Sequence, residues 1–262
     1  MSGISDTFAE LKDAGRGGFI PFTTAGDPDL KTTELLLVEL AAAGADIIEL
    51  GVPFSDPVAD GEVIQRASER ALRKGVTVTD ALRCVSNVKE HVDVPIVLFS
   101  YLNPLMKFGK DRLADEAKRA GVDAVLVTDL IPEEAGHWIA AFRDHGIHPI
   151  FLVAPTTSDE RLTRIAQQAS GFIYAVSRTG VTGTRNEMPS DAESLVKRTR
   201  AVSDLPIAVG FGISTPEQVR QAWRFADAAV IGSAIVRQVE KFADSPDLIS
   251  RVGDFARSLL SQ

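Results

Sequence analysis

A 262-residue chain with 45% hydrophobic and 24% charged residues has ordinary globular composition, which argues against disorder. Its formal net charge of −8 argues against a nucleic-acid partner, which needs a basic face, and leaves any anionic ligand to local dipoles. The one cysteine, Cys84, excludes an intrachain disulfide, and no signal-peptide or membrane-spanning pattern occurs, so a cytoplasmic protein is expected.

In chain order, a helix is expected over 4–13, ahead of the first strand, where it could plug the floor of a barrel. Short apolar strands are expected over 19–24, 46–52, 95–100, 124–128, 149–153, 171–176, 206–210 and 228–232. Amphipathic helical patterns fill the gaps over 30–43, 62–73 followed by 79–88, 112–120, 133–145, 160–168, 191–202 and 216–223, with closing helices near 234–242 and 247–260. Strands separated by helices make parallel βαβ units with right-handed crossovers. Eight such units fit a closed (β/α)8 TIM barrel better than an open sheet, with 1–262 as one domain. Gly44-Ala45-Asp46-Ile47 and Gly121-Val122-Asp123-Ala124 echo each other as punctuation between helix and strand, not as a repeat array.

The second strand carries an anomaly. Glu49 lies inside an apolar run just before the Gly/Pro-punctuated loop Gly51-Val52-Pro53-Phe54-Ser55-Asp56-Pro57-Val58-Ala59-Asp60-Gly61. A strand buried on both faces is nearly all Val, Ile and Leu, so an acid there is costly unless paired or neutralised. Burial would raise its pKa toward neutrality, and a second carboxylate in more polar surroundings, Asp60, would divide acid and base roles with it. The plain alternative is that Glu49 makes a structural ion pair while Asp56 and Asp60 cap turns.

In such a barrel chemistry sits at the C-terminal ends of the strands, and phosphate is often held after strands seven and eight. Here those loops read Gly210-Phe211-Gly212-Ile213-Ser214 and Gly232-Ser233-Ala234-Ile235-Val236. Glycine admits a phosphate close to the backbone, and the N–H groups opening the helix at Ser233 and Ala234 carry the positive end of its dipole. Tight turns would explain either loop alone; the two together favour a phosphate site on the C-terminal face. Ser177 to Asn186 suits a mobile flap closing over a ligand, or equally a loose surface connection. The histidines, His91, His137, His145 and His148, lie away from the strand ends and read as surface residues, and Cys84 reads as a packed thiol. No lysine falls in an expected strand, which argues against a Schiff-base nucleophile inside the barrel.

Pro21-Phe22-Thr23-Thr24-Ala25-Gly26-Asp27-Pro28, the run from Glu49 to Gly61, Ser177-Arg178-Thr179-Gly180-Val181-Thr182-Gly183 and the two glycine loops together resemble the tryptophan synthase α subunit family along essentially the whole chain. That resemblance implies retro-aldol cleavage of indole-3-glycerol phosphate to indole and glyceraldehyde 3-phosphate without a cofactor. It implies Glu49 as acid/base and Asp60 as the second essential carboxylate. Phe22, Leu126, Tyr174 and Phe211 would line the indole pocket or ligand, with Thr182 on a closing loop that bonds Asp60. Gly183, Gly212, Gly232 and Ser233 would bind phosphate. It further implies docking on a pyridoxal-phosphate-dependent β subunit, as an α2β2 heterotetramer, through the loop 53–58 and the strand-three loop 103–105, with Asp56 pairing a lysine across the interface. Loops 56–60 and 178–189 would order together on ligand binding. The other readings are a different phosphate-binding barrel, of isomerase or indole-glycerol-phosphate synthase type, and a catalytically weak regulatory subunit.

Overall fold

A computed structural model describes residues 3–176 and 190–261. In chain order the elements are α1 (Ile4–Asp13), β1 (Gly18–Thr24), α2 (Leu30–Ala42), β2 (Ile48–Gly51), α3 (Glu62–Arg73), α4 (Val78–Val88), β3 (Ile96–Ser100) and α5 (Leu102–Phe108). There follow α6 (Lys110–Ala120), β4 (Ala124–Val127), α7 (Gly136–Asp144), β5 (His148–Val153), α8 (Asp159–Gln168) and β6 (Ile173–Val176). The last are α9 (Ser190–Arg200), β7 (Ile207–Gly210), α10 (Pro216–Ala222), β8 (Ala228–Ile231), α11 (Ser233–Phe242) and α12 (Leu248–Leu260). The eight strands are parallel, pair in sequence order and close through β1 and β8, which is the expected (β/α)8 barrel. Among the described residues no helix is long and apolar enough to cross a membrane.

Two apolar layers explain the continuous hydrophobic strands. Inward side chains, among them Ile20, Ile47, Val97, Leu126 and Ile150, fill the barrel, while the alternate residues, such as Phe19, Ile48, Leu50 and Leu98, pack outward under the helices. The amphipathic α1 drives Ile4, Phe8 and Leu11, spaced by helical turns, into the barrel floor, where the Phe8 ring lies 5.7 Å from that of Phe172. The plug expected from the sequence is therefore in place.

The echoed Gly-x-Asp segments have a structural meaning. Asp46 does not belong to β2; its backbone N–H donates to the Phe19 carbonyl while its carboxylate accepts the Phe19 N–H at 2.8 Å. Asp123 makes the same reciprocal pair with Ile96 at 2.9 Å, and Asp227 with Ile207 at 2.7 Å. Each of these carboxylates also meets a cation, Arg16, Lys89 or Arg200 respectively. In each case the aspartate before an even-numbered strand satisfies an opening N–H of its odd-numbered neighbour at the barrel's N-terminal end, the first of β3 and of β7 and the second of β1, whose Gly18 N–H bonds the Asp227 carbonyl.

Two differences from the sequence reading matter. The segment 103–105 is not a loop but part of α5, because Pro104 falls in the first helical turn, where a missing N–H leaves no bond unmade. The Leu102 N–H that opens α5 is instead satisfied by the Asp129 carboxylate at 2.7 Å. Helix α7 starts at Gly136, since the residues before it form a turn in which the Glu134 N–H bonds the Ile131 carbonyl. Of the histidines, His91 and His137 are exposed, whereas His145 and His148 are half-buried and bonded, His148 Nδ1 to Ser170 Oγ at 3.0 Å. Cys84 is buried in α4 as expected, and burial pushes its thiol up to about 12.

Helices α3 and α11 lean together over the C-terminal face. Val63 and Ala67 of α3 meet Val236 of α11 and Phe22 of β1 in a small apolar cluster. Beside it, Arg70 donates to both oxygens of buried Asp27 at 2.7 and 2.9 Å and to Glu240 at 2.7 Å, while Arg66 clasps Glu240 with two further bonds. These bonds hold Glu240 down at about 2.

Candidate active site

At the C-terminal ends of the strands opens a cavity of about 830 Å³. Its floor is made by inward residues of the strands, including Phe22, Glu49, Phe99 and Tyr174; its walls are the β2–α3 loop, the start of α3, and the glycine turns after β7 and β8.

Glu49 enters this space because of strand alternation. Ile48 and Leu50 point outward to the helices, so Glu49 must point inward, level with Phe22 on β1 and Val97 on β3. Its side chain is buried, and Oε1 has no hydrogen-bond partner. Among the described residues no cation pairs with it, so the structural ion pair allowed by the sequence is not formed. Burial alone raises its pKa to about 8, which keeps the carboxyl protonated at neutral pH.

Asp60 stands on the adjoining wall. The N-cap of α3 is Gly61, without a side-chain cap, so the Asp60 carboxylate is not used to start that helix. Instead it accepts the Tyr101 hydroxyl at 3.1 Å, and Tyr101 in turn accepts the Ala59 N–H at 3.0 Å. Gln65 Nε2 fixes the Asp60 carbonyl at 2.8 Å. Burial raises the Asp60 pKa to about 6 while the Tyr101 bond opposes the rise. Two carboxyls thus share one cavity with their ionisation ranges separated, Glu49 neutral and Asp60 charged at pH 7. The same cavity is lined by Tyr174, a buried phenol whose burial, with the nearby carboxylates, holds it well above its usual range. Gly210 is what gives Tyr174 room, because a Cβ there would overlap its ring and hydroxyl.

The far wall is suited to an anion. Gly212 adopts φ +72°, which a residue with a side chain rarely adopts, and the space where its Cβ would be is open. Gly232 lies between Ile64 and Phe22, and α11 begins immediately after it with no side-chain cap. The first N–H groups of α11 are therefore free to bind a ligand's oxygens.

Of the residues expected at the site, Glu49, Asp60, Phe22, Tyr174, Gly212, Gly232 and Ser233 all line the cavity. Leu126 sits deeper in the barrel interior, and Phe211 is buried in the layer between strands and helices; neither lines the cavity. Thr182 and Gly183 lie outside the described residues, as does the rest of the expected flap. Tyr101, Ile64 and Arg237 carry no motif that singles them out in the sequence. Only their positions are suggestive: Tyr101 just past a strand end, Ile64 and Arg237 one turn into helices that start at the mouth.

Comparison with known proteins agrees with this geometry. The family described as Tryptophan synthase alpha chain matches residues 8–257. The chain is 50% identical over 259 residues to the tryptophan synthase alpha chain of Citrifermentans bemidjiense, covering 99% of this chain and 97% of that one. It is 49% identical to the Geobacter sulfurreducens protein of the same name, covering 99% and 98%. Among solved structures, tryptophan synthase subunit alpha from Legionella pneumophila superposes with a TM-score of 0.90 at 37% identity, covering 99% of this chain and 98% of that one. A chain of Mycobacterium tuberculosis tryptophan synthase gives 0.91 at 37% identity, covering 100% and 99%. With a family match along nearly its whole length and relatives at half identity, this chain belongs to the tryptophan synthase alpha chain family.

Proposed function

We propose that the chain cleaves indole-3-glycerol phosphate to indole and glyceraldehyde 3-phosphate, with Glu49 transferring the protons and Asp60 stabilising positive charge on the ring. The observation that carries this assignment of roles is the buried, unbonded Glu49 carboxyl, raised to about 8, facing the same cavity as a carboxylate held near 6.

The chemistry follows from those two states. The bond between indole C3 and the glycerol carbon can break only if the ring first becomes an electron sink. Protonation at C3 by neutral Glu49 creates an indoleninium cation. Ionised Asp60, beside the ring nitrogen, stabilises that positive charge where it develops. The Glu49 carboxylate then takes the proton from the hydroxyl on the departing carbon. As that oxygen forms the aldehyde, the C–C electrons flow into the ring and indole leaves; Glu49 ends protonated, ready for another cycle. Phosphate held at Gly212, Gly232 and Ser233 supplies remote binding energy that orients the reacting carbon.

The first test is indole release from indole-3-glycerol phosphate by the purified chain. Glu49→Gln keeps the shape of the side chain and loses the proton, so turnover should fall by about 10²–10⁴. More than about a tenth of wild-type turnover would overturn the role of Glu49. No indole from the wild-type chain would overturn the reaction itself.

The partner is a tryptophan synthase β subunit. The mouth of the barrel offers an apolar rim for it, with Val58, Met106 and Ile131 exposed, while Phe54 packs against the Tyr101 ring at 5.2 Å. We read residues 1–262 as one barrel domain and its location as the cytoplasm, in keeping with a single, reduced, buried cysteine.

A further inference from the structure

Among the described residues two cations line the cavity, Arg66 and Arg237. Arg66 is committed to Glu240, with bonds of 2.7 and 2.8 Å to both its oxygens. Arg237 is exposed and, among the described residues, has no ion-pair or hydrogen-bond partner for its side chain. It follows Ser233 by four residues on α11, so both project from the helix face that borders the cavity.

The surroundings give this free charge a use. Asp60 and Glu62 also line the cavity as carboxylates, Glu49 there being protonated, in a chain of net charge −8. A phosphorylated substrate approaches a cavity whose other charged groups, among the described residues, are acidic or paired, and the turns at Gly212 and Gly232 offer it only neutral N–H groups. Arg66 cannot compensate, because Glu240 already neutralises it.

We propose that Arg237 is a binding residue for the substrate's phosphate, supplying across one helical turn the positive charge that the backbone cradle lacks and so selecting a dianionic end group. This rests on reading the cavity as the indole-3-glycerol phosphate site. An arginine in this role acts on association and ground-state affinity, since the phosphate takes no part in bond breaking.

The experiment uses the full chain, alone and with its β subunit, as wild type, Arg237→Gln and Arg237→Lys. KM and kcat for indole-3-glycerol phosphate and the inhibition constant of glycerol 3-phosphate are measured at low and at physiological ionic strength. In Arg237→Gln both KM and the inhibition constant should rise roughly three- to tenfold at low salt, with kcat changed by less than about twofold. Arg237→Lys should stay near wild type, and the gap should narrow as salt screens the charge. Glutamine is a good helix former, so α11 itself should be unaffected. Equal constants in all three proteins at low salt, or a loss confined to kcat, would overturn the proposal. If the wild-type chain releases no indole, the reaction fails, and calorimetric binding of glycerol 3-phosphate still decides on Arg237. Weaker binding by Arg237→Gln upholds its role, and equal or absent binding in both proteins overturns it.

Discussion

In the proposed mechanism, Glu49 couples catalysis to stability through one proton. Folded, it keeps that proton up to about pH 8, whereas its ordinary value is 4.5, so across this window the native state binds more protons than the unfolded chain. Stability contributed at this position therefore falls as pH rises from about 4.5 to about 8. Glu49→Gln, which has no proton to hold, should gain stability over wild type by a margin that widens from acid to alkaline pH in urea denaturation. A margin independent of pH would mean that Glu49 is already ionised in the folded protein. Activity should follow a bell, rising as Asp60 ionises near 6 and falling as Glu49 ionises near 8. Tyr101→Phe removes the bond that lowers Asp60, so the acid limb should move to higher pH while the alkaline limb stays. An unmoved acid limb in the pH profile of kcat/KM would show that Tyr101 does not tune Asp60. Glu49 is legible in the sequence because an acid within an apolar run breaks the pattern of a buried strand. Tyr101 is not, since an aromatic at a strand end looks like any core residue and its partner stands 41 positions earlier.

Among the elements, the joint between α3 and α11 sets the shape of the cavity. One helix follows Asp60 and the other begins at Ser233, so their mutual placement fixes the distance between the carboxylate wall and the anion wall. Arg70 is the centre of the joint, bonded to Asp27 from the β1–α2 loop and to Glu240 from α11. Arg70→Met would leave Asp27 buried without its cation, at a cost of about 3–5 kcal/mol in denaturant unfolding. Burial already raises the Asp27 pKa, so the penalty should be largest at alkaline pH, where the orphaned group must stay charged, and smaller at acid pH, where it can protonate. Adding Asp27→Asn should recover part of the loss; no recovery would place the damage elsewhere. Periodicity gives away the eight strands and most of the helices, because two-sided burial and one-sided burial leave different patterns. It misses α5 because a proline in a first helical turn looks the same in sequence as one that ends structure, and it misses the ionic joint because charges 170 positions apart carry no local mark.

For the whole molecule, under the proposed function the mouth that receives substrate is also the face offered to a partner. Asp56 is exposed on the rim, its carboxylate bonded, among the described residues, only to the neighbouring Ser55 hydroxyl, a short distance along the loop from Asp60. Contact there can bias the placement of Asp60 by favouring one arrangement of the loop. Asp56→Ala should accordingly reduce the activation produced by β subunit severalfold more than it reduces indole release by the isolated chain. Equal losses with and without partner would separate Asp56 from that communication. The cavity with Glu49 and Asp60 opens at one end of the barrel, while the reciprocal aspartate pairs of Asp46, Asp123 and Asp227 lie at the other. Strand registry is therefore set from below. Such a division of labour frees the upper loops to lengthen, exchange or acquire new specificities during evolution without shifting the alignment of the staves that carry them.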